Sequence, residues 1–270
     1  MFIDRLRHAE RLNASLLCVG LDPEPAKFPL AWRGDASRIE AFCARIVDAT
    51  KDLVLAFKPQ IAYFAAHRAE EQLERLIAYI RRVAPAVPVI LDAKRGDIGS
   101  TAEQYAREAF ERYQADAVTL SPYMGFDSIE PYLRYPGKGV FLLCRTSNAG
   151  GADLQAQRLA DGELVYERIA RLAGGAWNRN GQLGLVVGAT YPAEIARVRE
   201  LAPTLPLLIP GVGAQGGDAE ATVQAGWRAD AAIAVNSSRA VLYASSGDDF
   251  AEAARRVALD TRAQLAAAQR

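Results

Sequence analysis

The residues best suited to chemistry lie in the segment VILDAKRGDIGST, residues 89–101. Asp92 and Lys94 are two positions apart, so a β-strand would direct both side chains to one face. A single buried charge is costly to desolvate, whereas an opposed pair offsets much of that cost. Neighbouring carboxylates also favour the ammonium form of a lysine. Lys94 is therefore better suited to donate a proton or to stabilise a carbanion than to form a Schiff base.

Two more charged residues end neighbouring apolar runs. Lys58 ends LVLAFKP, and Asp22 ends CVGLDP. With Asp92 and Lys94 they form a small network of alternating charge if the runs are adjacent strands. A buried salt-bridge cluster without catalytic function is the alternative interpretation of this pattern.

Asp97 and Thr101 follow the same strand and are four residues apart. An acidic residue and a threonine in the first turn of a helix stabilise its N-terminus, so capping explains both of them without any catalytic role. Their residue types and spacing leave this interpretation open beside a functional one.

A phosphate site is predicted from PGVGAQGGD, residues 210–218, and from VNSSRA, residues 235–240. Glycines let backbone N–H groups approach an anion closely, and the helix that follows adds its dipole. Arg239 supplies the charge and the bidentate geometry that phosphate prefers. The alternative interpretation is that the glycines only form tight turns and that Arg239 is an ordinary exposed residue.

The elements that must position these residues alternate along the chain. Eight apolar runs rich in Val, Ile and Leu are separated by amphipathic segments, a pattern typical of buried parallel strands joined by helices. We expect one (β/α)8 TIM barrel, a single domain over residues 1–270, with an extra N-terminal helix in FIDRLRHAERL. Barrel enzymes place their catalytic groups at the carboxyl ends of the strands, where the polar residues above lie.

Composition limits the possible partners and location. The 270 residues carry 32 Lys and Arg against 32 Asp and Glu, which excludes a protein that coats nucleic acid. Three scattered cysteines predict neither a disulfide framework nor a metal cage. No apolar stretch approaches ~18 residues, so we expect no membrane span and a cytoplasmic location.

The connection 146–162 is either a mobile lid or an ordinary surface loop.

The chain resembles the orotidine 5′-phosphate decarboxylases, in their longer bacterial subgroup, over essentially its whole length. The most specific element is the D-x-K-x-x-D pattern of Asp92, Lys94 and Asp97. The other matching motifs follow in barrel order: GLD, FKP, RTSN, PGVGAQGGD and NSSR. The resemblance implies decarboxylation of orotidine 5′-phosphate to UMP and CO2, without metal or other cofactor, in de novo pyrimidine biosynthesis.

The resemblance also implies a role for each matching residue. Lys94 stabilises the carbanion at C6 and protonates it, and Asp92 lies near the departing carboxylate; Lys58 and Asp97 complete the catalytic set. Asp97 and Thr101 reach the site of a second subunit, which implies a homodimer. The residues implied to bind the phosphorylated nucleotide are Asp22, Lys58, Ile98, Thr101, Ser147, Gln215, Ser238 and Arg239. Ser238 stands where many relatives carry glycine.

Two other functions remain possible for this pattern. A metal-dependent sugar-phosphate decarboxylase or lyase of the same barrel group would share D-x-K-x-x-D, although Lys58 and the Ser147 region favour the pyrimidine substrate. An inert nucleotide-binding sensor would retain the fold without the chemistry. Loss of activity on adding EDTA would indicate the first of these, and absence of turnover the second.

Overall fold

The computed structural model describes residues 1–212 and 217–269, and eight parallel strands form its centre. Each strand overlaps one of the apolar runs, and the (β/α)8 prediction is confirmed. In chain order, β1 to β8 are Leu17–Leu21, Ala56–Pro59, Ile90–Arg95, Ala117–Leu120, Gly139–Arg145, Leu183–Val187, Leu207–Pro210 and Ile233–Ser237.

The strands follow one another around a nearly closed barrel. β1 pairs with β2 on one side and with β8 on the other, and every named pair is parallel. Isolated parallel bridges from Phe57 to Val89 and from Gln60 to Asp92 join β2 to β3. The carboxyl ends of all eight strands therefore face the same end of the barrel.

Helices alternate with the strands and cover the outside of the barrel. In chain order, α1 to α11 are Phe2–Asn13, Ile39–Thr50, Ile61–Ala65, Glu70–Val83, Gly99–Arg107, Glu130–Leu133, Val165–Gly174, Pro192–Leu201, Ala219–Gly226, Arg239–Leu242 and Phe250–Ala267. A π-helical turn, Glu108–Arg112, extends α5. Among the helices of residues 1–212 and 217–269, none has the length and apolar character needed to cross a membrane.

Helix α1 is the predicted extra N-terminal helix, and it closes the end of the barrel opposite the strand carboxyl ends. Its buried residues Phe2, Leu6 and Ala9 join the cluster of side chains that fills the barrel interior. Phe2 meets Phe141 of β5 edge to face, with ring centroids 5.8 Å apart. Gly139 makes this packing possible, because a Cβ there would lie 2.2 Å from the Phe2 ring.

Strand β3 is irregular where the charged residues lie. Its register against β4 shifts between Leu91 and Arg95, and Lys94 has a left-handed backbone with φ of 47°. This conformation costs a non-glycine residue roughly 1–2 kcal/mol, so surrounding contacts must hold it. The expectation that Asp92 and Lys94 face the same way is met through this bulge and not through a regular strand.

Candidate active site

A cavity of about 580 Å³ opens at the carboxyl ends of the strands. It brings together seven of the residues predicted from the sequence: Asp22, Lys58, Asp92, Lys94, Ser147, Ser238 and Arg239. Apolar side chains of Leu143 and Val186 also line it. Acids, bases and apolar surface thus meet in a single space at the end where barrel enzymes carry out their chemistry.

The Asp92 carboxylate lies between two ammonium groups. Lys58 Nζ donates to Asp92 Oδ2 at 2.8 Å, and Lys94 Nζ donates to Asp92 Oδ1 at 2.6 Å. The side chains of Lys58 and Asp92 are almost fully buried, whereas that of Lys94 is 45% exposed. Lys94 is consequently the member of this triplet that a bound ligand can reach most easily.

Opposite effects act on the pKa of each buried member. Burial alone would raise the pKa of Asp92, but Lys58 and Lys94 together outweigh it and lower this pKa well below its usual range. Burial would lower the pKa of Lys58, yet Asp92 and Asp22 outweigh it and raise this pKa. Both groups therefore remain charged at neutral pH.

Thr119 of β4 holds the irregular end of β3. Its hydroxyl donates to Asp92 Oδ1 at 2.9 Å and accepts from the backbone N–H groups of Ala93 and Lys94, each at 3.0 Å. One buried side chain thus fixes both the carboxylate and the left-handed backbone of Lys94. Sequence reasoning missed Thr119; its only signal is a polar residue within the apolar run AVTL.

Asp22 is fixed from the other end of the chain. Tyr243 donates its hydroxyl hydrogen to the Asp22 carbonyl at 2.9 Å and accepts from the Glu24 N–H at 2.7 Å. Asp22 Oδ1 itself is buried and has no hydrogen-bond partner among the residues that the structure describes. Tyr243 thus holds the backbone on both sides of this loop, while one oxygen of the Asp22 carboxylate has no partner in the described part of the chain.

The connection 146–162 borders the cavity with Thr146, Ser147, Asn148 and Gln155. Gln155 Oε1 accepts from the Thr146 N–H at 2.8 Å, which ties the start of the connection to its middle. Gly188, directly after β6, lets the backbone there lie close to Ser147, because a Cβ at this position would lie 2.6 Å from the Ser147 N. The connection adjoins the site as a lid would, and its movement stays a prediction.

Ser238 and Arg239 line the cavity at the end of β8, as the predicted phosphate site requires. Gly211 and Val212, at the start of the glycine-rich segment, line it as well. The predicted residue Gln215 lies outside the described residues. The cationic side chain of Arg239 and the charged triplet around Asp92 therefore line the same cavity.

Asp97, Ile98 and Thr101 lie away from this cavity. The Asp97 carboxylate accepts from the Ile98 N–H at 2.8 Å, and the Ile98 side chain is 48% exposed. Thr101 is exposed in the first turn of α5. In its own chain this segment has the geometry of a helix start, and its predicted role at a second subunit's site stays a prediction.

The positions of two polar residues near strand ends were not predicted from the sequence. Arg145 is buried outside the cavity and pairs with Glu194 at 2.8 Å. Asn236 lies within the segment VNSSRA but was not predicted to bind a ligand, and it lines the cavity beside Ser238 and Arg239. Within the described ranges, no group of three or more His, Cys, Asp or Glu side chains is arranged to hold a metal ion.

Comparison with known proteins agrees with this arrangement. Residues 15–257 match the model of the orotidine 5′-phosphate decarboxylase / HUMPS family. The chain is 77% identical to the orotidine 5′-phosphate decarboxylase of Methylibium petroleiphilum, covering 99% of both chains. It is 78% identical to that of Leptothrix cholodnii, covering 99% of this chain and 97% of the relative.

A solved structure extends the similarity to the fold. The OMP decarboxylase of Leishmania donovani superposes with a TM-score of 0.84 at 42% identity, covering 98% of each chain. The charged triplet at the mouth of the barrel thus occurs in a chain whose sequence and fold both match one family. The chain belongs to the orotidine 5′-phosphate decarboxylase / HUMPS family.

Proposed function

We propose that this chain decarboxylates orotidine 5′-phosphate to UMP and CO2, without a metal or other cofactor, in pyrimidine biosynthesis. The observation that carries the proposal is the Asp92 carboxylate held at 2.8 Å and 2.6 Å by two lysines inside the cavity. Arg239 in the same cavity suits the 5′-phosphate. A site of this kind offers preorganised charge to a reaction that has no electron-accepting cofactor.

The chemistry assigns distinct tasks to Lys94 and Asp92. As the bond between C6 and the carboxylate breaks, its electron pair stays on C6 and the carboxylate departs as CO2. The Lys94 ammonium stabilises the resulting carbanion and then gives its proton to C6. Asp92 lies near the departing carboxylate and favours its loss, while Lys58 neutralises Asp92 and Asp97 completes the alternating charges.

The remaining residues bind parts of the substrate away from C6. Asp22 and Lys58 hold the ribose hydroxyls, Ser147 binds the pyrimidine ring, and Arg239 binds the phosphate together with Gln215 and Ser238. Binding energy from the remote phosphate is useful only if it is expressed in the transition state. Closure of the connection 146–162 over the bound nucleotide would meet that requirement by excluding water.

A homodimer completes each site in this proposal, with Asp97 and Thr101 supplied by the partner chain. The position of Asp97 and Thr101 outside their own cavity supports this arrangement, because neither can act there. Exposed apolar side chains nearby are the second support: Ile98 is 48% exposed, Tyr123 78% and Met124 48%. Apolar surface of this kind is typical of a subunit interface.

The remaining parts of the proposal concern the chain as a whole. We take residues 1–270 as one barrel domain, since the helices α1 and α11 at the two ends of the described chain both pack on the barrel. A cytoplasmic location fits three buried free cysteines, Cys18, Cys43 and Cys144, because thiols persist in reducing compartments.

The direct test follows the loss of orotidine ultraviolet absorbance with the wild-type chain and with Lys94→Ala. We expect turnover by the wild type and none by Lys94→Ala, while UMP still raises the thermal stability of the variant. Lys51→Ala is the control, because Lys51 pairs with Asp48 on the surface, away from the cavity.

Three results would contradict the proposal. Near-native turnover by Lys94→Ala would remove the role of this lysine. Inhibition of the wild type by EDTA would instead favour the metal-dependent sugar-phosphate enzymes. UMP binding without any turnover by the wild-type chain would indicate a nucleotide sensor.

A further inference from the structure

Asn236 is a buried polar residue of the cavity to which the proposed function assigns no task. It lies near the end of β8, is 8% exposed, and lines the cavity beside Ser238 and Arg239. Its Nδ2 donates to Ser238 Oγ at 3.1 Å, which orients the amide. Its Oδ1 is buried and has no hydrogen-bond partner in the described part of the chain. A buried acceptor in this situation is costly, so a bound ligand that donates to it gains affinity.

The direction of Asn236 Oδ1 follows from its neighbour on β1. A Cβ added to Gly20 would lie 3.1 Å from Asn236 Oδ1 and 1.8 Å from Ser238 Oγ. The amide carbonyl is thus packed over the backbone of β1, on the side of the barrel where Asp22 follows that strand. Asn236 thus lies on the strand that leads to Ser238 and Arg239, beside the strand that leads to Asp22, and all four residues line the same cavity.

The chemistry of the substrate narrows what can donate to this oxygen. At neutral pH the phosphate and the carboxylate of orotidine 5′-phosphate are ionised and accept hydrogen bonds only. The donors left are the N3–H of the ring and the two ribose hydroxyls. The ring is assigned to Ser147 after β5, which β6 and β7 separate from β8 in the strand order. The ribose hydroxyls remain.

We propose that Asn236 binds the substrate, with its side-chain carbonyl accepting a hydrogen bond from one ribose hydroxyl group. This assignment rests on the proposed function, since it takes the nucleotide as the ligand. Asp22 Oδ1 is the other buried acceptor among the cavity-lining residues that has no partner in the described part of the chain, so the number of such acceptors equals the number of ribose hydroxyls. The same side chain would then contact the ribose through Oδ1 and Ser238 through Nδ2. Ser238 is one of the residues proposed to bind the phosphate, so Asn236 lies in contact with both parts of the nucleotide site.

The test compares UMP, 2′-deoxy-UMP and 3′-deoxy-UMP as ligands of the wild-type chain and of Asn236→Ala, with dissociation constants measured by calorimetry. We expect the substitution to weaken UMP binding about tenfold, the effect of one lost hydrogen bond. One of the two deoxy ligands should bind to wild type and variant equally, because it lacks the donor. Equal weakening of all three ligands, or no weakening of UMP, would overturn the assignment.

Two further variants separate binding from local structure. Asn236→Asp keeps an acceptor at the same place, so it should retain the wild-type preference for UMP over the critical deoxy ligand; loss of that preference would also overturn the assignment. Ser237→Ala, at the next position of β8 and outside the cavity lining, should bind all three ligands as the wild type does. Failure of the wild type to decarboxylate while this ligand pattern holds would refute the proposed function alone.

Discussion

Replacing Thr119 by Val removes one hydroxyl group and nearly preserves the side-chain volume. The hydroxyl makes three hydrogen bonds, at 2.9 Å to Asp92 Oδ1 and at 3.0 Å from the N–H groups of Ala93 and Lys94. In Thr119→Val each of these groups loses a partner, although Asp92 keeps both of its lysines. The substitution therefore tests whether one β4 side chain holds the reactive end of β3.

The expected loss of stability follows from those three contacts. A fully buried group left without its partner costs about 1–3 kcal/mol. Ala93 is partly buried and Lys94 is exposed, so water can replace part of what their N–H groups lose. We expect the free energy of unfolding to fall by about 2–3 kcal/mol, a large share of the total of roughly 5–15 kcal/mol for a typical domain.

The effect on activity comes from the left-handed backbone of Lys94, with φ of 47°. Without the Thr119 hydroxyl this backbone can relax toward an ordinary conformation, which moves the ammonium group away from the place in the cavity where the proposed reaction needs it. A misplacement of about 1 Å reduces the rate on the order of 100-fold. We therefore expect kcat/KM to fall by about that factor.

Urea unfolding followed by circular dichroism measures the stability, and the ultraviolet decarboxylation assay measures kcat/KM. Thr119→Ser keeps the hydroxyl and loses only a methyl group, so it should retain most of the activity. If Thr119→Val matched the wild type in both measurements, the assigned positioning role would be wrong. Equal damage in Thr119→Ser would point to packing as the cause.

Three other experiments test the charged triplet, the packing of β1 on β8 and the dimer. The pKa of Asp92 is lowered in the fold, so its ionised form stabilises the protein above the ordinary aspartate pKa of about 4, and this contribution is lost as pH falls through the lowered value. Urea unfolding should therefore show that the difference in unfolding free energy between wild type and Asp92→Asn shrinks only in this acidic range. A difference that stays constant across acidic pH would contradict the lowered pKa. Gly20→Ala would place a Cβ 1.8 Å from Ser238 Oγ. Calorimetry should therefore detect weaker UMP binding, and urea unfolding should show that the free energy of unfolding falls by about 1–3 kcal/mol. Unchanged values in both measurements would refute the close approach of β1 to Ser238. Mixing inactive Lys94→Ala and Asp97→Ala chains under conditions of subunit exchange should restore about a quarter of wild-type activity, because about half of the dimers are mixed and each mixed dimer contains one intact site of two. No recovery despite proven exchange would exclude a shared site.

The barrel and the charged residues of the cavity lining followed from local properties of the sequence. Apolar runs such as LLCVGL and VILDA can be satisfied only by burial on both faces, which parallel strands between helices provide. Once the runs are strands of a barrel, the polar residue that ends each run must lie near the others at one end. Asp22, Lys58 and Arg239 were found in this way, and all three line the cavity.

The orientation of individual side chains could not be read in the same way. Arg145 ends an apolar run, yet it is buried beside Glu194 outside the cavity, because its direction depends on the register of β5 against β6, which shifts between Leu143 and Arg145. Thr119 carries no distinctive local signal, and Asn236 lies in the NSSR motif without a residue type or spacing that marks it as a ligand-binding residue. Their importance arises from partners on other strands, which only the folded chain brings within hydrogen-bonding distance.

By itself the sequence determined the type of fold, the end of the barrel that carries polar groups, and the alternation of charge in Asp92 and Lys94. Hydrophobic burial and charge are properties of residue types and their spacing, so they can be read along the chain. The tertiary structure alone decided that Asp92 bridges two lysines, that Lys94 has a left-handed backbone, and that Thr119 holds it there. Hydrogen bonds depend on distances of a few tenths of an ångström between residues far apart in the chain, and those distances exist only after the barrel has formed.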